Sequence, residues 1–240
     1  SAPILHIAIQ KKYDEIADFL IDKGAKVDMT DAKGKTPLFL AVSTNNYKIV
    51  QKLVSKGADV NQPELEYGST PLEQATDVQI VNFLLSKKAD PNHISNYGSV
   101  MHAHAHDKTP DILKSLIAHG GNINLIGYEG NTPLQQILND DYSKEITVDQ
   151  VKNLVQLGAD LKIKNDRGFT AYDIAIEKDR NDIADYLQHS GAVSGDQESV
   201  LNNALYKGDV ETVKRVLEGG YSAKDFRYAL AAISNSYKIK

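Results

Sequence analysis

The chain has 240 residues, 41% of them hydrophobic and 25% charged, with a net charge of −5. It is therefore too apolar for a disordered polymer and lacks the basic surplus of a nucleic-acid binder. Cysteine is absent, which excludes disulfides, thiolate nucleophiles and Cys-ligated zinc, and no apolar run approaches the roughly 18 residues that a membrane-spanning helix needs.

Residues 3–9 (PILHIAI) read as a first helix, with Ile4, Ile7 and Ile9 adding apolar surface beyond Leu5 and Ala8. The string KGAKVD at 23–28 follows and then recurs as KGADVN at 56–61, KKADPN at 87–92, HGGNIN at 119–124, LGADLK at 157–162 and SGAVSG at 190–195. Its second position (Gly24, Gly57, Lys88, Gly120, Gly158, Gly191) advances in steps of 33, 31, 32, 38 and 33 residues. Registered copies at such a period mark an internal repeat. A second string sits upstream within the unit: GKTPLFLA at 34–41, GSTPLEQA at 68–75, GNTPLQQI at 130–137 and GFTAYDIA at 168–175.

One unit shows the local logic. Thr36 stands at a helix N-cap and Pro37 at the first helical position, where its missing N–H costs nothing. Leu38, Ala41 and Val42 recur at helical spacing, and the polar stretch 43–46 ends the helix. A second helix presents Ile49, Val50, Leu53 and Val54 and stops at Gly57, a position that favours positive φ. An extended polar turn leads to the next unit. Two helices this short cannot bury so much apolar surface alone, so neighbours must stack.

The period and the T-P-L-x-x-A string resemble the ankyrin repeat. The resemblance covers nearly the whole chain and implies an all-α solenoid of stacked helix-turn-helix units joined by β-hairpin-like loops, or fingers. On that reading residues 1–240 are one array, with repeats at about 1–30, 31–62, 63–93, 94–125, 126–163, 164–193 and 194–223 and a partial cap or eighth repeat at 224–240. Departures are local. Repeat 3 is three residues shorter between its helices and carries Lys88 in place of glycine; repeat 4 reads GSVMHAHAHD without Thr-Pro. Repeat 5 is five residues longer, with the insert NDDYSKEIT at 139–147, and repeat 7 keeps only SGDQ of its finger. The apolar first helix, and an apolar segment at about 225–234, are expected to pack on further repeats or another domain of a longer protein.

Among chemistry-bearing residues, His102 and His106 are four apart and would share one face of a continuous helix, a weak metal pair with no third ligand fixed beside it. The resemblance implies a structural role instead for His102 and His6, both in the position where the family carries a histidine that bonds neighbouring backbone. His104, or Ala105, takes the small-residue position. Phe39, in the histidine position of repeat 2, is expected in the core. Gly34-Lys35-Thr36 imitates the end of a phosphate loop, but Met29 occupies the position where that loop needs glycine. Asp140 and Asp141 read as a solvated turn. The family also implies asparagine hydroxylation at turns like those of Asn61 and Asn92.

Three tyrosines point to function. Tyr67 and Tyr97 precede the finger glycines 68 and 98, and Tyr128 lies two before Gly130, with Lys33 and Arg167 at the flanking fingers. Tips about 10 Å apart at helix-packing distance, bearing basic, Tyr, Tyr, Tyr and Arg in order, fit a surface that grips a protein or peptide, though packing on the next finger is the alternative use of each ring. The expected function is a non-catalytic, monomeric protein-binding scaffold with no cofactor, nucleic acid or membrane partner. The alternative is a targeting module whose catalytic domain lies elsewhere, as in a bacterial effector; the chain is then expected in the cytoplasm, or secreted into a host cell if it is such an effector.

Overall fold

The computed structural model describes residues 3–140, 146–195, 200–201, 204, 208 and 210–218. The chain divides into two compact units, Ser1–Tyr128 and Glu129–Lys240. In the first unit the helices are α1 (Ile4–Gln10), α2 (Asp14–Asp22), α3 (Pro37–Ser43), α4 (Tyr47–Ser55), α5 (Val78–Ser86), α6 (Val100–His104) and α7 (Asp111–Ala118). A 3₁₀ turn at Pro71–Gln74 stands between α4 and α5, and strands β1 (Ile94–Ser95) and β2 (Gly98–Ser99) pair antiparallel. In the second unit they are α8 (Pro133–Asn139), α9 (Val148–Gln156), α10 (Ala171–Glu177), α11 (Asn181–His189) and α12 (Val210–Glu218).

The N-caps follow the sequence. Thr36 is extended and its Oγ1 accepts the Phe39 N–H at 3.1 Å. Thr132, Thr147 and Thr170 cap α8, α9 and α10 in the same way, and each donates its own N–H in return to the side chain three residues on. The second helices end at Gly24, Gly57, Gly120, Gly158 and Gly191, all at positive φ, and Lys88 adopts the same hand at φ 67°. In repeat 3 the missing three residues leave no room for a full first helix before Asp77 caps α5, so Pro71–Gln74 closes as a single tight turn.

Burial is between neighbours. In the first unit α3 packs on α1 and on the 3₁₀ turn, α4 on α2 and α5, and α5 on α7. Leu38, Ala41, Ile49, Val50, Leu53, Ile80 and Leu84 are fully enclosed there. In the second unit α10 packs on α8 and α11 packs on α9, enclosing Leu134, Ile137, Leu154, Ile174, Ala175 and Leu187. Of the insert in repeat 5, residues 141–145 lie outside the described residues, as do parts of the seventh copy and the whole apolar segment at 225–234.

A polar seam accompanies the apolar one. Asn61 Nδ2 donates to Lys88 O at 3.0 Å while its Oδ1 accepts the Asp90 N–H at 2.8 Å. Asn92 repeats this one unit on, with Gly120 O at 2.9 Å and the Asn122 N–H at 2.8 Å. Both ends of each amide thus tie one repeat to the backbone of the next. Asn92→Ala should lose about 1–3 kcal/mol of unfolding free energy, read from urea denaturation by circular dichroism, with no change in the fold.

Candidate functional site

The finger tips of the first unit form a continuous ridge. Two tip carbonyls accept an amide of the next finger: Lys33 O takes the Leu65 N–H at 2.9 Å and Tyr67 O the Asn96 N–H at 2.9 Å. Gly34 permits this approach, since a Cβ there would lie 2.7 Å from Leu65 N, and its φ is +79°. Inside the fingers, Asp31 Oδ1 accepts the Lys33 and Lys35 N–H groups at 2.9 and 3.0 Å. Glu64 does the same work in the next finger, where its buried carboxylate accepts the N–H groups of Glu66, Tyr67 and Ser69. Burial alone would raise the Glu64 pKa, but those three donors hold it below the ordinary value.

Side chains continue the ridge. Lys33 Nζ reaches Glu66 Oε2 at 2.9 Å, and Tyr67 OH donates to Glu66 Oε1 at 2.9 Å. The Tyr67 ring then leans on Tyr97, centroids 4.9 Å apart and planes at 44°. At that separation the two rings are in direct aromatic contact. Tyr67 remains 39% exposed, Tyr97 61% and Tyr128 65%. Leu65, Ile94 and Ile126 are exposed in the same fingers. The Glu66 hydrogen bond raises the pKa of Lys33, and Lys33 in turn lowers that of Glu66.

Tyr128 does not share the slot of Tyr67 and Tyr97; in repeat 5 Glu129, at φ 56°, takes the place before the glycine. In the second unit Arg167 pairs with Glu177 and lies over the Phe169 ring at 4.3 Å. The sequence reading missed Glu66, the link between Lys33 and Tyr67. The signal was present: Lys33 and Glu66 are 33 residues apart, one period.

The histidine position turns out to be a polar slot filled by His6, Phe39, Glu73, His102, Gln135 and Asp173 in repeats 1 to 6. Phe39 is buried, as expected. The polar occupants span from their own helix cap to the next finger. His6 Nε2 meets Lys35 O at 2.9 Å. Gln135 Oε1 accepts the Thr132 N–H at 2.8 Å and its Nε2 donates to Ile163 O and Phe169 O at 2.8 and 2.9 Å. Asp173 accepts from the Thr170 and Gly195 N–H groups at 2.8 and 2.7 Å.

His102 is buried in the same way, its Nδ1 accepting the Ser99 N–H at 3.0 Å and its ring held between Gly98 and Gly127, at neither of which a Cβ would fit. Its helix, α6, ends at His104, so His106 lies in the turn beyond it and the shared helical face expected for a metal pair does not form. Among the described residues no group of three His, Asp or Glu side chains is placed to hold a metal. His104 and Ala105 are both buried, and His104 Nδ1 pairs with Asp107 Oδ2 at 2.8 Å. On the helix-turn side, the shortened turn of repeat 3 leaves an open notch of about 470 Å³ lined by Asn45, Thr76, Asp77, Asp107, Lys108 and Asp111. No described helix is long and apolar enough to cross a membrane.

These features define a stacked helix-pair repeat protein with a ridge of exposed fingers. The family model described as ankyrin repeats (3 copies) matches residues 5–95 and 100–198; the chain belongs to the ankyrin repeat family, whose members are generally protein–protein interaction modules. It is 30% identical over 175 residues to the ankyrin repeat protein YahD of Escherichia coli, covering 70% of this chain and 86% of that one. Among solved structures it resembles an ankyrin repeat domain from Acinetobacter baumannii, with a TM-score of 0.66, 25% identity and coverage of 78% and 97%. A chain in the complex of the predatory endopeptidase Bd0816 from Bdellovibrio bacteriovorus with immunity protein Bd3460 also superposes, with a TM-score of 0.67, 26% identity and coverage of 79% and 98%.

Glu73 fills this slot in repeat 3. Burial raises its pKa, opposed by a bond from Ser95 and by the Thr70 N–H at 3.3 Å. The fold therefore favours protonated Glu73: that contribution is complete below the ordinary value of 4.5 and is lost as pH rises through the higher native value. Glu73→Gln, which copies the occupant of repeat 5, should raise the Tm at pH 7, and the gain should shrink toward zero as the pH falls below the ordinary glutamate value. Calorimetric scans across that range check it.

Proposed function

We propose that the chain is a non-catalytic binding module that grips a protein or peptide through the ridge of finger tips, with Tyr97 and Tyr128 as anchors, Tyr67 as their support and Lys33 at the ridge's basic end. Arg167 offers a further cation in the second unit. The observation that carries the proposal is the combination of rigidity and exposure. The tips bearing Lys33, Tyr67 and Tyr97 are tied to one another by backbone bonds, and the Tyr97 and Tyr128 rings stand more than 60% exposed. Large rings held on a fixed frame supply contact area at little entropic cost, which is why tyrosine is enriched among the residues that dominate interfaces. The intrachain Lys33–Glu66 pair presets the charge at the ridge's edge without burying it. The resemblance to a chain solved in an endopeptidase–immunity protein complex supports a folded protein as the class of partner.

A photo-crosslinking amino acid at position 97 should capture the partner, and calorimetry can then compare variants. Tyr97→Ala combined with Tyr128→Ala should weaken binding by more than about 2 kcal/mol, roughly thirtyfold in Kd, with the Tm unchanged because both rings are exposed. An unaltered affinity would remove the ridge from the interface.

A further inference from the structure

Three consecutive fingers of the first unit each expose two large apolar side chains: Leu65 and Tyr67, Ile94 and Tyr97, Ile126 and Tyr128. The charges around this strip are already answered within the chain. Glu64 is turned inward onto three amides, and Glu66 is paired with Lys33. The next two fingers, residues 91–98 and 121–128, contain no Asp, Glu, Lys or Arg. His93, half-buried, has its Nε2 on Gly68 O at 2.8 Å. A charged group laid on the strip would lose its water without gaining a partner. The complementary surface is therefore apolar and uncharged.

The period of the strip selects the backbone that can carry such a surface. Each finger closes on itself as a hairpin, Asp31 N–H on Lys35 O, Glu64 N–H on Ser69 O and β1 on β2, and neighbours are joined at Lys33 O and Tyr67 O. The ridge therefore advances by two strand spacings per finger, about 9.6 Å. Three residues of an extended strand cover about 10 Å, but they turn successive contacts to opposite faces. Three residues of polyproline II cover about 9.3 Å on one face. Seven residues of α-helix cover about 10.5 Å on one face, and inclining the helix by about 25° matches it to the fingers.

Hydrogen bonding decides between the last two. Polyproline II leaves its amides and carbonyls to be met from outside, and drying one of them on apolar surface outweighs what a buried methylene gains. Leu65, Ile94 and Ile126 carry no donor, and the Tyr67 hydroxyl is already given to Glu66. A helix satisfies its own backbone and asks only for apolar contact. We infer that the partner lays an amphipathic helix along the ridge, its uncharged apolar residues recurring every seven positions, one heptad to each finger. The inference rests on the ridge being the binding surface, as proposed above, and adds the shape and pattern of what it holds.

Selection of displayed peptides on the 240-residue chain tests it. Two libraries of about 20 residues are used, long enough as a helix of about 30 Å to cross three fingers. One randomises apolar residues at the heptad positions of a helix-forming sequence, and the other randomises every position. Binders should come from the first, with any from the second repeating its seven-residue pattern. A proline at the middle of a binder should raise its dissociation constant at least about tenfold. Ile94→Asp and Ile126→Asp in the chain should each do the same, with unchanged far-UV circular dichroism because both side chains are exposed. Binders that need Tyr97 and Tyr128 but repeat every two or three residues, or that tolerate the proline, overturn the helix and leave the ridge as the binding surface. Binders unaffected by Tyr97→Ala combined with Tyr128→Ala remove the ridge and the inference together, and a heptad library that yields no binder overturns the inference.

Discussion

A helix of seven residues is too short to be stable on its own, and α1, α3, α8 and α10 are all of that length. Pairing each with a second short helix does not close the deficit, because the pair still offers apolar side chains on two opposite faces. Leu40 and Ile49 are buried only because another repeat lies against them. Stability in such a structure is a sum over neighbours rather than a property of any one unit. One consequence follows directly: the connecting turns, excluded from the stacked layers, are free to carry side chains that the fold does not need.

The turns are nevertheless not loose. Asn61 and Asn92 hold successive repeats together at one end of the second helices, and Gln135 and Asp173 in the slot join a helix cap to the next finger, while His6 reaches the next finger alone. Groups buried and bonded in this way are costly to remove and specific in geometry. The chemistry of the slot is interchangeable: imidazole, amide and carboxylate all reach the same carbonyls or amides. A histidine there reads as part of the frame, and His102 is held too firmly by Ser99, Gly98 and Gly127 to serve a pair with His106. What remains for function is the exposed side of the fingers, where the Tyr97 and Tyr128 rings stand largely free of the fold.

Much of this was legible in the residues because the period converts spacing into contact. Thr36-Pro37 marks a helix start, Gly57 marks its partner's end, and the apolar positions between them give the buried face. Interactions one repeat apart, such as Asp18 with Lys52 or Asn131 with Asn165, could be read the same way. The exceptions arose where length or side-chain direction breaks the register. Three missing residues turned the first helix of repeat 3 into a 3₁₀ turn, and the early end of α6 separated His106 from His102. The lean of Tyr67 onto Tyr97, and Glu66 as the joint between Lys33 and Tyr67, depend on rotamers that a periodic pattern does not specify.

The reliance of each repeat on its neighbour can be measured by amide hydrogen exchange. Ile9→Ala loosens the core of repeat 1 without touching repeat 2's own sequence. If the helix pairs stabilise one another, the amides of Leu40, Ala41 and Val42 in α3 should lose protection along with those of α1. Protection in α3 that stays at its original level while α1 exchanges freely would mean that repeat 2 stands alone, contrary to the coupling described above.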